Sequence, residues 1–489
     1  MKVLCLGNNT LDTDHRCRAV AQSLGIDHRG IVSSFDHPHG AWHTSVMDLG
    51  RGDIIELATE ADQVLMLAQP LSAWSHPDAW LRTVEIIDEV HGKFQDPEAV
   101  ARYRYWQSVL DTNPGFCILP WVEHMTRNDH AVLCCRSHKP VTKSLSVDDW
   151  AHDAGYRSIR ADMLQGRTRP DHCDACYQQE AVSSASDRRR ETLEWTNRLK
   201  LDSLADLDSI REPVYFEMRA SNKCNLKCRT CGPEYSHLIA HERKAMQILP
   251  ADYHAESNNN RFETMPMHTM RKLYVAGGEP LIMPEFLEFL TGARDAGHRD
   301  FELVINTYCT TLTDQFRDLI QEFTNVTFIV SIDGVGAVND YIRSNSQWHR
   351  IVTNLRWLHD HKFHISINTV VSTYNAARLH EIFQWLDQSF PDLGVNLMAA
   401  YSADNLFDAL HHVNLDRVRQ SVRDALATKS VNNGPTSRQW LQDFLQQIEH
   451  KQSHVVAYEK FLVYNARLDH HRGTDLAEIL PELVGQESR

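Results

Sequence analysis

From about residue 213 the chain alternates short apolar runs with longer amphipathic stretches. The runs are VYFEMRA (214–220), KLYVAG (272–277), FELVIN (301–306), VTFIVSI (326–332), HISINTVV (364–371) and GVNLMAA (394–400). Each is of strand length, and most intervals between them carry helical periodicity. Six β-α units in a row predict a parallel sheet with helices outside it, so the fold class is α/β with a partial (β/α)6 TIM-like barrel over 210–403. In barrels of this kind the chemical groups collect at the C-terminal ends of the strands. The tail over 404–489 reads as a mainly helical extension.

The first hundred residues carry a separate pattern. KVLCLG (2–7) is an apolar run followed by a polar turn, a helical segment to about Leu24 and a second apolar stretch at 30–32. ADQVLMLAQ (61–69) reads as a further strand and WLRTVEIIDEVHGKF (80–94) as a helix, giving a small α/β domain over 1–105. It has neither a G-x-G-x-x-G run nor a P-loop, so no nucleotide is assigned to it. Cys5 and Cys17 read as core or neutral surface thiols.

Residues 106–200 form a cysteine-rich element. ILPWVEHMT and HAVLCC flank a turn at Arg127-Asn128-Asp129 and predict a hairpin carrying Cys134 and Cys135. SVDDWAHDAGYRSIRADMLQG predicts a serine-capped amphipathic helix with Trp150, Ala154, Ile159 and Met163 in phase and a stop at Gly166. HCDACYQQE follows, with Cys173 and Cys176.

Composition narrows the function classes. With 489 residues, 42% hydrophobic positions and a formal net charge of −15, the chain suits a multidomain globular protein and disfavours broad binding to nucleic acid or anionic membrane. The basic run Arg188-Arg189-Arg190 reads as a solvated helix face. No apolar stretch reaches membrane-spanning length, and MKVLCLGNN reads as a strand and not a secretion signal, so a cytoplasmic location is expected. The cysteines number eleven and cluster, which favours metal ligation in a reducing compartment over disulfides. The 28 histidines are scattered and are given no role.

The densest chemistry lies in KCNLKCRTCG. Cys224, Cys228 and Cys231 can hold three corners of a [4Fe–4S] cube and leave one iron open to a ligand. A structural zinc site would need a fourth ligand, for which His237 is the nearest candidate. The second barrel strand ends in Gly277-Gly278-Glu279-Pro280, the third in Asn306-Thr307 and the fourth in Ser331-Ile332-Asp333-Gly334, with Arg343 shortly after. Glycines admit close backbone approach. Polar strand-end groups can bind hydroxyls, and an arginine can pair with a carboxylate.

This set resembles the radical S-adenosylmethionine (SAM) superfamily. The resemblance implies SAM as cofactor, chelated by the open iron. Gly277, Gly278, Glu279 and Pro280 would contact its amino group, Ser331 and Asp333 its ribose, and Arg343 its carboxylate, with Asn306 at the same rim. The position before the third cysteine is often aromatic in that superfamily and is Thr230 here, so the adenine is expected on Val370 and Val371. Cys117, Cys134, Cys135, Cys173 and Cys176 form a second group that on its own could be a four-cysteine zinc site. In the context FCILPW…CC…C-x-x-C-Y-x-x-E it resembles the twitch/SPASM element, which holds an auxiliary [4Fe–4S] cluster, with Cys135 as the spare thiol. The tail LDHHRGTDLAEILPEL is similar to the same group, so the resemblance covers roughly 114–489.

The function implied is reductive cleavage of SAM to a 5′-deoxyadenosyl radical, with an electron donor such as flavodoxin or ferredoxin. Hydrogen would be taken from a peptide or protein side chain. The alternative substrate is a small molecule, such as a sugar, nucleotide or amino acid derivative. Cys309 could serve as a hydrogen donor in an epimerisation and otherwise reads as a core thiol. A non-enzymatic iron–sulfur carrier or zinc-held scaffold would leave the GGEP, SIDG and arginine set without a purpose.

Overall fold

The computed structural model describes strands at 2–6, 27–33, 43–45 and 63–66 and residues 97–484, apart from 128–129, 138, 144–146, 148, 181–185, 220, 255–261, 263–264, 401–405, 435–436, 450 and 452–454. The chain divides into two compact units, 1–124 with 132–213, and 125–131 with 214–489.

In the first unit, β1 (Lys2–Leu6), β2 (Asp27–Ser33), β3 (His43–Ser45) and β4 (Gln63–Met66) form a parallel sheet in the order β3-β2-β1-β4. The helices expected before residue 24 and over 80–94, and Cys17, lie outside the described residues. The cysteine-rich part is built on α1 (Pro97–Thr112), a helical turn α2 (Leu119–Val122), α3 (Ala154–Leu164), α4 (Pro170–Glu180) and α5 (Asp187–Arg198). α1 packs on α5, and the buried Trp106 indole donates to Leu201 O at 2.6 Å.

Three local expectations need correction here. The apolar run 118–122 is a helical turn and not a strand, because Pro120 sits in a first turn where a missing N–H costs nothing. The helix expected from Ser146 begins at Ala154 instead: Asp153 accepts from Tyr156 N, and Trp150 lies before the helix with its indole donating to Glu123 O at 3.2 Å. The stop at Gly166 holds, with φ of 74°. Arg188 is not solvated. It is buried, its Nη2 lies 2.5 Å from Glu180, and its Nη1 donates to Phe116 O at 2.6 Å.

The second unit carries the parallel strands β7 (Tyr215–Arg219), β8 (Lys272–Ala276), β9 (Glu302–Thr307), β10 (Val326–Ser331), β11 (His364–Val371) and β12 (Gly394–Ala399). They pair in sequence order, with Leu303 opposite Leu273 and Val326, and Ser331 opposite Asn368. Segment 125–131, from the hairpin of β5 (Glu123–Arg127) and β6 (His130–Val132), lies beyond β7 in the same sheet. Period-two burial marks β10 and β11, where Phe328, Val330, Ile367, Thr369 and Val371 are buried and Thr327, Ile329, Asn368 and Val370 stay part-exposed, whereas β7 is buried at four consecutive positions and β9 at Leu303, Val304 and Ile305. The sixfold parallel order and the intervening helices match the sheet expected from the sequence. Helices over Leu415–Leu426, Ser437–Glu449 and Val455–Arg472 complete the unit. Among the described residues, no helix is long and apolar enough to cross a membrane.

Candidate functional site

The cysteine loop follows β7 and is tied down on three sides. Glu279 N donates to Lys223 O at 2.9 Å, joining it to the Gly-Gly-Glu-Pro turn after β8. Lys227 N donates to Ser344 O and Arg229 N to Ile342 O, both at 2.8 Å, joining it to the segment that carries Arg343. Ser236 Oγ donates to Leu226 O at 2.8 Å. Glycine is required in the turn: Gly277 and Gly278 have φ of 81° and 47°, and a Cβ on Gly278 would lie 2.2 Å from Lys223 O.

Cys224 and Cys228 are buried with Leu226, and Cys231 packs against them. Burial pushes all three thiols up, Cys228 to about 11 and Cys231 to about 12. Cys228 is held lowest by the Arg343 guanidinium beside it. Without a cation the thiols are therefore neutral near pH 7, and cluster assembly must release about three protons. Iron uptake into this site is expected to rise steeply between pH 6 and 9, by up to about tenfold in affinity per unit for each thiol. Iron content of protein reconstituted across that range checks this; a flat profile contradicts it.

Glu279 is fully buried and its carboxylate accepts three hydrogen bonds from the chain itself, two on Oε1 and one on Oε2. It accepts from Leu281 N at 3.1 Å, Thr307 Oγ at 2.7 Å and Tyr308 N at 2.8 Å. Burial raises its carboxyl pKa, against the pull of those donors. The side chain thus fastens the ends of β8 and β9 together; Pro280 opens the short turn after it.

Arg343 and Asp333 are both buried and pair at 2.9 Å. The other Asp333 oxygen accepts from Val370 N at 2.9 Å. Ser331 Oγ donates to Asn306 at 3.3 Å, and Asn306 Nδ2 donates to Tyr274 Oη at 2.9 Å. Of the two valines expected at the adenine, Val371 is buried with the alternate residues Ile367 and Thr369, so only Val370 shares the part-exposed register of Asn368. Cys309 is fully buried with φ of 56°, its N–H donating to Thr307 Oγ and its carbonyl accepting from Asn354. This is the setting of a core thiol.

Tyr308 was missed in the sequence. It packs against the three cysteines, burial together with Cys228, Cys231 and Cys224 pushes its phenol pKa up, and the Arg343 guanidinium lies 5.0 Å from its ring. An aromatic residue immediately after a polar strand end was the available signal.

In the first unit Cys117 lies within electrostatic reach of Cys173 and Cys176, and Cys134 within reach of Cys135 and Cys117. Cys117 is pushed up by burial and then by Cys173 and Cys176, and Cys134 by burial, Cys135 and then Cys117 among others. At each sulfur a neighbouring donor works against that rise: the backbone of Leu119 at Cys117, of Arg136 at Cys134 and of Arg188 at Cys176, and the Tyr177 side chain at Cys173. Cys135 is exposed. Donors of this kind steady thiolates and tune a cluster. Were this set to hold the auxiliary cube that the sequence resemblance implies, Cys134→Ser would lose about four iron atoms per chain and Cys135→Ser would keep them. Equal iron in the two variants would contradict the assignment.

Among the described residues, no three His, Cys, Asp or Glu side chains converge tightly enough to share one metal ion. His237 does not complete a zinc site through Nδ1, which accepts from Cys224 N at 3.2 Å. The second-unit site has polar capacity left for a ligand. Arg343 Nε, Asn225 Oδ1 and Asn339 Nδ2 are buried without a hydrogen-bond partner among the described residues, beside the thiols or beside Asp333. A cofactor bearing a carboxylate, an ammonium and hydroxyls fits that set.

The model of the radical SAM superfamily matches residues 218–386. No curated protein matches the chain. Among solved structures, polyhistidine-tagged anSMEcpe with bound AdoMet is similar at 15% identity and a TM-score of 0.33, over 49% of this chain and 62% of that one. SuiB from Streptococcus suis bound to S-adenosylmethionine is similar at 12% identity and a TM-score of 0.30, over 61% of each chain. TYW1 with a lysine-pyruvate adduct bound is similar at 14% identity and a TM-score of 0.26, over 43% of this chain and 70% of that one. The chain thus spans about 62% of the length of the first of these. Likenesses this remote say nothing of substrate or reaction. The matched segment holds the cysteine loop, the Gly-Gly-Glu-Pro turn, Asp333 and Arg343: residues 218–386 are a radical SAM domain, and the protein that carries it is an enzyme.

Proposed function

We propose that Cys224, Cys228 and Cys231 hold a [4Fe–4S] cluster with one open iron, that SAM binds there, and that the enzyme takes hydrogen from a peptide or protein side chain. The observation that carries the SAM reading is the buried Arg343, paired to Asp333 through one nitrogen, beside Cys228, and with Nε unmet. When bound, the cluster supplies the single electron that splits the SAM sulfonium into methionine and a 5′-deoxyadenosyl radical. The chain's own residues bind and orient. Arg343 offers its free N–H to a carboxylate, the Gly277-Gly278-Glu279 backbone meets the amino group, and Ser331, Asp333 and Asn306 meet the ribose. Leu226, Ile332 and Ile342 are fully buried around these groups and help to keep water from the reacting centre.

A peptide substrate is supported by the part-exposed register of the sheet. Tyr274, Asn306, Ser366, Asn368 and Asn396 line it with hydroxyls and amides, and Met398 is 42% exposed at its edge. Such groups pair with a polypeptide backbone without demanding charge. The four donor-bonded thiols of the first unit would hold an auxiliary cluster, saturated by protein and so suited to taking an electron from the substrate radical. The external electron would come from a carrier such as flavodoxin or ferredoxin. The test is release of 5′-deoxyadenosine by reconstituted, dithionite-reduced protein with a pool of short linear peptides, or with monosaccharides and nucleosides. Stimulation by peptides alone is expected; stimulation by the small molecules alone contradicts the peptide reading.

A further inference from the structure

Arg229 sits between two of the cluster cysteines and is fully buried, yet it faces away from them into the C-terminal segment. Its Nε donates to Tyr341 O at 3.0 Å, its Nη1 to Asn465 at 3.1 Å, and its Nη2 to Asp469 at 2.5 Å and Thr474 Oγ at 2.9 Å. The guanidinium lies 3.6 Å from the Tyr341 ring centre, and the Tyr341 hydroxyl donates to Asp469 at 2.9 Å. Asp469 also accepts from Leu476 N at 2.9 Å. Three residues on, Arg472 repeats the arrangement: it bridges Glu242, which also holds Lys227 of the cysteine loop, and Ser344, the neighbour of Arg343.

Two catalytically placed segments therefore share one anchor. The cysteine loop and the Arg343 segment exchange backbone hydrogen bonds through residues 227, 229, 342 and 344, and residues 465–476 grip both. A buried guanidinium with this many partners is held by them in one geometry. We propose that the C-terminal residues 465–476 act as a clamp that sets the register of Cys228 against Arg343, making Arg229 and Asp469 positioning residues for SAM. This rests on the SAM reading of the site given above. Because binding and clamping are linked, SAM must tighten the clamp as much as the clamp favours SAM.

The test uses full-length reconstituted protein. Arg229→Lys keeps the buried charge but loses the fork. It is expected to fold, to retain the iron of both cysteine sets, and to bind SAM about tenfold more weakly, read from the SAM-induced change in the electron paramagnetic resonance of the reduced cluster. Hydrogen exchange on the wild-type holoenzyme supplies a measurement that does not depend on the variant: SAM is expected to slow exchange at 465–476 as well as at 224–231. Wild-type SAM affinity in Arg229→Lys, or protection confined to 224–231, overturns the clamp. A wild-type protein whose cluster signal ignores SAM overturns the SAM reading itself, and the clamp with it.

Discussion

Arg343→Lys is expected to weaken SAM binding by up to about 100-fold while leaving both sets of iron in place. Arg343 is buried, and one arm of its guanidinium is spent on Asp333 at 2.9 Å. Only a fork can hold Asp333 and present a second N–H to a carboxylate; an ammonium on a flexible stem satisfies one partner at a time. Loss of a charge-assisted hydrogen bond in a dry site costs about 1.5–3 kcal/mol, which is about ten- to a hundredfold in affinity. Arg343→Ala should be worse in a second way, because Asp333 would be left buried without its counter-charge, at a cost of about 3–5 kcal/mol in stability. Equilibrium dialysis with labelled SAM, set beside thermal unfolding, separates the two effects. A Lys variant with unchanged SAM affinity would remove Arg343 from the site.

Gly278→Ala should abolish cluster retention on Cys224, Cys228 and Cys231. The new methyl would lie 2.2 Å from Lys223 O and 2.9 Å from its carbonyl carbon, both backbone atoms that no rotamer change can move. The loop must shift as a body, one residue away from Cys224. Gly297→Ala is the control: its φ of 81° imposes comparable strain, but nothing lies within 4 Å of the added carbon. It should cost about 1 kcal/mol of stability and no iron. Iron counts that fall equally in the two variants would show that backbone strain, and not the approach of the turn to the loop, decides the outcome.

The sheet was legible because its strands are long apolar runs bounded by polar ends, and all six lie within a residue or two of the positions expected. Elsewhere the signal was chemical in a different sense. The apolar run at 118–122 holds a proline that suits a helical turn better than a strand. The run Arg188-Arg189-Arg190 does lie on a helix, Asp187–Arg198, but that helix buries Arg188, Glu191 and Glu194, which a run of charges does not reveal. At the site, the cysteine spacing and the Gly-Gly-Glu-Pro turn stood out because they are local. Arg229 did not, because its partners lie up to 245 residues away in sequence. The three donors on Glu279 come from its own turn and the next strand end, which no spacing reveals. The cysteine expected to be spare, Cys135, is exposed, and no local rule separates it from Cys134.

The central claim is radical chemistry on SAM at Cys224, Cys228 and Cys231. The most direct measurement is 5′-deoxyadenosine formed after anaerobic reconstitution with iron and sulfide, reduction with dithionite and addition of SAM. Wild type would be compared with a variant carrying Ala at all three positions, with iron counted in each. The account predicts deoxyadenosine from wild type alone, and about four irons remaining in the variant on the cysteines of the first unit. No deoxyadenosine from a wild-type protein that has taken up its iron, or equal amounts from the two proteins, would contradict it.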